Sequence, residues 1–227
     1  MNNDLRIFDK ESLPTDGFAG ITEKRILMSP NVWTKSQENH AVSNGFGDLL
    51  YISYGHFNPL DGAPLHGHED VDIVSVILSG EVGHKGTLGH GSSILSPGAQ
   101  VQRAGTGMKH SEFNLNRDPA EFVQIWFAPP SIGLSPDYRN FKLKEGELTN
   151  LLGDSASSFE STMKCEAGFL SEGSTLHISQ QFVAVVIRGK GTFNGECVTE
   201  GQLVEGSSAK LKAYENFGFI LITQSCS

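Results

Sequence analysis

No stretch of this 227-residue chain approaches the 18 consecutive apolar residues that a membrane-spanning helix needs, and "MNNDLRIFDKES" at the start holds no apolar signal-peptide core. A cytoplasmic protein without membrane association is therefore expected. Cysteine is scarce. The three present (Cys165, Cys197 and Cys226) are an odd number, widely spaced and without a CxxC pair, which speaks against a disulfide framework. Cys165 and Cys197 are read as small core residues. Basic clusters are missing too: net charge is −9, and the sharpest run, "KLK" at 142–144, is followed by Glu145 and Glu147. That balance argues against direct nucleic-acid contact. No GxSxG marks a serine nucleophile. "GTGMKH" at 105–110 meets only part of a glycine-rich phosphate-binding pattern and leads into a strand, so its glycines are expected to form a tight turn ahead of His110.

What the chain does have is glycine, 26 of them, punctuating short apolar and alternating runs. "DLLYISYGHF" (48–57), "VDIVSVILSG" (71–80), "SSILSPG" (92–98), "KHSEFNL" (109–115) and "EFVQIWFAP" (121–129) read as strands. Turn signals recur every 8–15 residues, the pattern of an all-β sandwich or barrel. "APPSIGLSPDYRN" (128–140) breaks the pattern with three prolines and reads as a connector, and "EGELTNLLGDS" (145–155) as a turn of helix. β patterning then resumes from 175 to 225, where "VVIRGKGTFNGECVTEGQLV" echoes "VILSGEVGHKGTLGHGSSIL". Two related all-β barrels in tandem are expected: residues 1–130, a connector over 131–144, and residues 145–227.

Chemistry concentrates in His66 and His68 of "PLHGHEDVDI" and in His110 and Glu112 of "MKHSEF". Each pair is spaced i, i+2, which in a strand puts both side chains on one face, roughly 6–7 Å apart. Two such strands side by side in a small barrel would converge three imidazoles and a carboxylate, a donor set suited to a divalent first-row metal. Fe(II) fits well, and Ni, Co, Mn, Cu or Zn could occupy the site too, because ligand type alone does not settle the metal's identity. His84 and His90 fall in a glycine-rich hairpin tip and read as solvated turn residues. His56 reads as a structural strand residue, and His40 and His177 carry no signal.

"HGHEDVDIVSVILSGEVGHKGTLG" with "GTGMKHSEF" resembles the pirin family of the cupin superfamily, and "EFVQIWFAPPSIGLSPDYRNF" resembles the segment joining that family's two barrels. The resemblance implies a bicupin, two jelly-roll barrels in one chain. His66, His68, His110 and Glu112 would hold iron or another divalent metal in the first barrel, and the second barrel would be metal-free. It implies quercetinase-type activity, in which dioxygen opens the central ring of a flavonol and Glu112 serves as both ligand and base. It also implies an alternative, a non-catalytic iron and redox sensor acting through a protein partner; a third reading is a cupin acting on an unrelated metabolite. Asp72 stands where the family usually has Glu and is not an expected ligand. A monomer is expected, since two barrels in one chain can cover each other's sheets.

Overall fold

The computed structural model describes residues 4–88, 91–153 and 159–225, and within them the architecture is the expected all-β bicupin. Two short 3-10 turns, Lys10–Ser12 and Ser36–Glu38, are the helical pieces described, and no described helix is long and apolar enough to cross a membrane. The chain divides into two compact units. One runs from Leu13 to Lys142; the other combines the segment ending at Ser12 with everything from Leu143 onward.

In the first unit a seven-stranded sheet runs in the order Asp137–Lys142, Gly98–Arg103, Asp72–Ile77, Ala120–Phe127, Leu49–Phe57, Ile21–Met28 and Asp16–Phe18. Its middle strands are the most apolar segments of the unit, and all six residues of Asp72–Ile77 are buried. That is what a strand flanked on both sides and covered on both faces requires. The second sheet has four strands, Gly62–His68, Met108–Asn114, Glu81–Gly86 and Ser92–Leu95 in that order, and it carries both histidine motifs. Phe57, Ile77, Val82, Ile94, Ala120 and Phe122 fill one end of the barrel, while Val71, Ile73, Ala104 and Met108 form a separate apolar cluster at the other.

Charged and polar groups fix the loops around the motifs. Asp72 is fully buried and takes two hydrogen bonds from Arg103, at 2.9 and 2.6 Å, across a register pair that clamps the strand following "HGH". Asp70 accepts the Gly133 amide at 2.7 Å and gives its own amide to the Gly105 carbonyl at 2.9 Å. Gly105 and Gly107 hold φ of +50° and +120°, so the tight turn expected before His110 is present.

Three boundaries differ from the sequence reading. The stretch read as a connector contains a strand, Asp137–Lys142, that extends the seven-stranded sheet by pairing with Gly98–Arg103. The proline content that suggested a linker ends at Pro136, and the residues after it alternate freely. The turn of helix expected at 145–155 is instead a strand, Leu148–Leu152, because pairing with Met163–Leu170 and burial of Leu151 and Leu152 override a weak local helical preference. The first twelve residues cross over to the second unit, where Arg6–Asp9 pairs with Gln202–Gly206.

That second unit repeats the plan with a six-stranded and a four-stranded sheet. Its strand Ala209–Ala213 turns Ala209, Leu211 and Ala213 inward, packed with Ile178, Phe193 and Phe217. Cys165 is buried as expected, and burial pushes its thiol well above the ordinary range. Cys197 is exposed rather than a core residue, since its neighbour Val198 takes the inward position on the same short strand; Cys226 lies outside the described residues.

Candidate metal centre

His66 and His68 point from one edge strand of the four-stranded sheet, and His110 from its neighbour, where His110 is the register partner of His66. Their donor nitrogens all lie within 4.8 Å of one another. The Nε2 atoms of His66 and His110 are 2.9 Å apart. Two donors at about 2.1 Å from a common ion sit roughly 3.0 Å apart when cis in an octahedron and roughly 3.4 Å apart in a tetrahedron. The spacing is compatible with two neighbouring ligands on one ion and equally with an N–H···N hydrogen bond between the rings when no ion is bound.

The protonation chemistry suits an ion at that spacing. His66 donates Nδ1–H to the Pro64 carbonyl at 2.8 Å, which leaves the Nε2 lone pair facing His110. Burial and the neighbouring His66 depress His68 to about 4. Burial, then His66, His68 and His84, depress His110 further still. Neutral imidazoles at pH 7 are what a metal needs as ligands.

Pro64 has a special place in this geometry. Opposite the two-residue step from His110 to Glu112, the partner strand takes three residues, from His66 to Ala63. The extra residue frees the Pro64 carbonyl from the ladder and turns it toward the His66 ring.

Glu112 does not join the cluster of three; its carboxylate falls outside the 4.8 Å set. It lies on the same inward face two residues beyond His110, between Ala63 on one neighbouring strand and His84 on the other. Burial raises its carboxyl to about 7, with no cation offsetting the loss of solvent.

His84 corrects the sequence reading. It is 4% exposed rather than solvated, because the hairpin strand continues through Gly86 and the ring turns inward. Its Nε2 lies 2.9 Å from His110 Nδ1. His90 lies outside the described residues.

Aromatic side chains that the sequence reading did not assemble flank the imidazoles. The Trp126 ring meets His68 edge-on with centroids 5.6 Å apart and lies tilted against Tyr51 at 4.9 Å, which in turn packs against Trp33 at 5.4 Å. Phe18 covers the other side, edge-on to His66 at 5.7 Å. Polar partners hold this wall in place. Trp126 Nε1 donates to Gln124 at 2.9 Å, and the Tyr51 hydroxyl donates to Glu23 at 2.7 Å, itself paired with Arg25. Trp33 lines an open groove of about 450 Å³ together with Met28, Val32 and Val42. The aromatic residues lie in strands and a loop far apart in the chain, so no local spacing announces them.

Comparison with known proteins points the same way. The family model described as Pirin matches residues 28–127. A Pirin-like protein of Caulobacter vibrioides is 26% identical over 134 residues, 56% of this chain and 58% of that protein. A quercetin 2,3-dioxygenase of Escherichia coli K12 is 31% identical over 106 residues, 45% of this chain and 46% of the enzyme. The chain thus matches about half the length of these curated relatives. Among solved structures, the bacterial pirin YhhW from Escherichia coli in complex with nickel(II) superposes with a TM-score of 0.83 at 18% identity, covering 98% of this chain and 100% of that one. A quercetin 2,3-dioxygenase from Acinetobacter baumannii gives 0.73 at 20% identity, over 97% and 85% of the two chains. At such identities the structural likeness speaks to the fold.

Proposed function

We propose that this chain, a member of the pirin family through residues 28–127, is a divalent-metal dioxygenase of the quercetinase type acting on flavonols, with His66, His68 and His110 as ligands. The observation that carries the reading is the convergence of three imidazole nitrogens, two of them on rings whose pKa burial depresses and the third on a ring oriented by a backbone carbonyl. Three nitrogens and a carboxylate are a mixed set that accepts iron, nickel or another first-row ion, Fe(II) being preferred on the family resemblance. The named activity of the relatives, quercetin 2,3-dioxygenase, supplies the substrate class.

A divalent metal bound here would supply Lewis acidity and free coordination positions for the flavonol's 3-hydroxyl and 4-carbonyl oxygens and for dioxygen. The chain's own residues do the rest. Glu112, held near pKa 7 by burial, is poised to take the 3-hydroxyl proton at neutral pH. It becomes a fourth ligand if its side chain swings toward His110. The partly exposed Trp126 and Trp33 rings, backed by the buried Tyr51, offer apolar aromatic surface beside His68. Phe18, about half exposed, packs edge-on against the His66 ring.

The test is incubation of iron-loaded and nickel-loaded protein with quercetin, with and without dioxygen, following the flavonol absorption band and released carbon monoxide. Dioxygen-dependent loss of the band with stoichiometric carbon monoxide is expected, and Glu112→Gln should retain metal yet lose turnover. Absence of turnover with every flavonol and metal tried would overturn the reading.

A further inference from the structure

His84 has no role in the scheme above, yet it is buried and packed against a proposed ligand. Each neutral imidazole carries one N–H and one lone pair, so the chain His66–His110–His84 has a definite direction. His66 is fixed: its Nδ1–H goes to the Pro64 carbonyl, which can only accept, so its Nε2 carries the lone pair. The 2.9 Å contact between the two Nε2 atoms then requires His110 to donate Nε2–H to His66 when no ion is between them. His110 Nδ1 must in that case accept, and His84 Nε2 at 2.9 Å is the donor.

Metal binding at the three histidines demands the opposite. His110 Nε2 must present a lone pair, so its proton must sit on Nδ1, and His84 Nε2 must become the acceptor. His84 then carries its own proton on Nδ1. This atom makes no hydrogen bond of good geometry, nor do the Nε2 and Oε1 atoms of Gln102, a side chain close enough to act on the His84 ring. Gln102 is fully buried on the strand Gly98–Arg103. A primary amide serves either direction, because its NH2 can donate to a bare Nδ1 and its oxygen can accept from a protonated one.

We propose that His84 is a positioning residue that reverses its tautomer, with Gln102 as its adaptable partner, so that His110 can turn a lone pair toward the metal without any change in net charge. This rests on the reading of His66, His68 and His110 as metal ligands. The proton inventory balances. Metal-free, His110 and His84 each carry a proton on Nε2; metal-bound, each carries it on Nδ1. No proton is taken from or given to solvent. The arrangement differs from a carboxylate partner, which can only accept and would commit His110 to the metal-ready tautomer in both states.

The experiment is a long-range proton–nitrogen correlation spectrum of protein labelled with 15N-histidine, recorded metal-free and after adding one equivalent of zinc. Zinc is diamagnetic and preserves the signals. The expected result is Nε2–H on both His84 and His110 without zinc, and Nδ1–H on both with it. Zinc-induced shifts at His66, His68 and His110 with an unchanged His84 tautomer overturn the relay and leave the metal site standing. No shift at those three ligands overturns both. A second readout uses zinc affinity by chelator competition. His84→Phe, which fills the space but cannot accept, should lower affinity about 10- to 100-fold, and His84→Gln, which keeps an acceptor, should recover most of it. Equal affinity in wild type and His84→Phe overturns the proposal.

Discussion

Replacement of Glu112 by Gln tests the buried carboxyl on stability alone, before any question of turnover. In the metal-free protein, burial raises Glu112 from an ordinary 4.5 to about 7. At about 1.36 kcal/mol for each pKa unit, ionising it in the folded state costs about 3 kcal/mol more than in the unfolded chain. The folded value lies above the unfolded one, so the stability linked to this group is complete below 4.5 and is lost as pH rises through about 7. Wild type should therefore weaken between about pH 4 and about pH 7.5 relative to Glu112→Gln, the gap moving about 3 kcal/mol in favour of the variant. His68, His84 and His110 have depressed values that destabilise both proteins toward acid, and their contribution cancels in the difference. Urea unfolding in the presence of a chelator measures it, as a relative shift in midpoint of roughly 1–3 M for slopes of about 1–3 kcal/mol per molar. Saturating zinc or nickel should reverse the order, because the carboxylate then has a cation to face. A gap between the two proteins that stays flat across this pH range would refute the assignment of Glu112 as a solvent-starved carboxyl.

His110→Ala removes the central nitrogen donor of the cluster, and elemental analysis of protein purified without added metal should find only traces; a full equivalent would refute the ligand set. Asp72→Ala leaves the Arg103 guanidinium buried without its carboxylate and should cost about 3–5 kcal/mol in denaturant unfolding. A loss below about 1 kcal/mol would show the pair to be dispensable. Trp33→Leu removes the outermost ring of the aromatic wall, worth about 0.5–1.5 kcal/mol, so steady-state kinetics with quercetin should show KM rising about 2- to 10-fold at nearly constant kcat. Unchanged KM would place the substrate elsewhere.

The run of apolar and alternating residues was enough to anticipate Leu49–Phe57, Asp72–Ile77, Ser92–Leu95, Met108–Asn114 and Ala120–Phe127, whereas Asp16–Phe18, Ile21–Met28 and Gly98–Arg103 were not read as strands. The histidine trio was equally readable, because i, i+2 spacing on neighbouring strands fixes a shared face whatever the rest of the fold does. Glu112 was only half readable: the spacing gives its face, but the extra residue opposite it and its neighbours Ala63 and His84 depend on the partner strands. His84 was misjudged because "GHKG" has the composition of a turn while the hairpin strand extends through it. The Trp33–Tyr51–Trp126 wall needs contacts between residues far apart in the chain, which no window of sequence contains. The strand at Leu148–Leu152 exists because Met163–Leu170 is there to receive it.

The additional residue opposite His110 and Glu112 makes the aim of His66 a property of chain length more than of side-chain identity. The group that orients the ring is a main-chain oxygen, and the two residues that create the irregularity, Pro64 and Leu65, face solvent. Natural variation at those two positions should leave the ring held, whereas deleting either one would restore a regular ladder in which His66 still faces His110 but loses the freed carbonyl that orients its ring. Homologous chains are thus expected to tolerate exchange at 64 and 65 while keeping the count of residues between Ala63 and His66 unchanged.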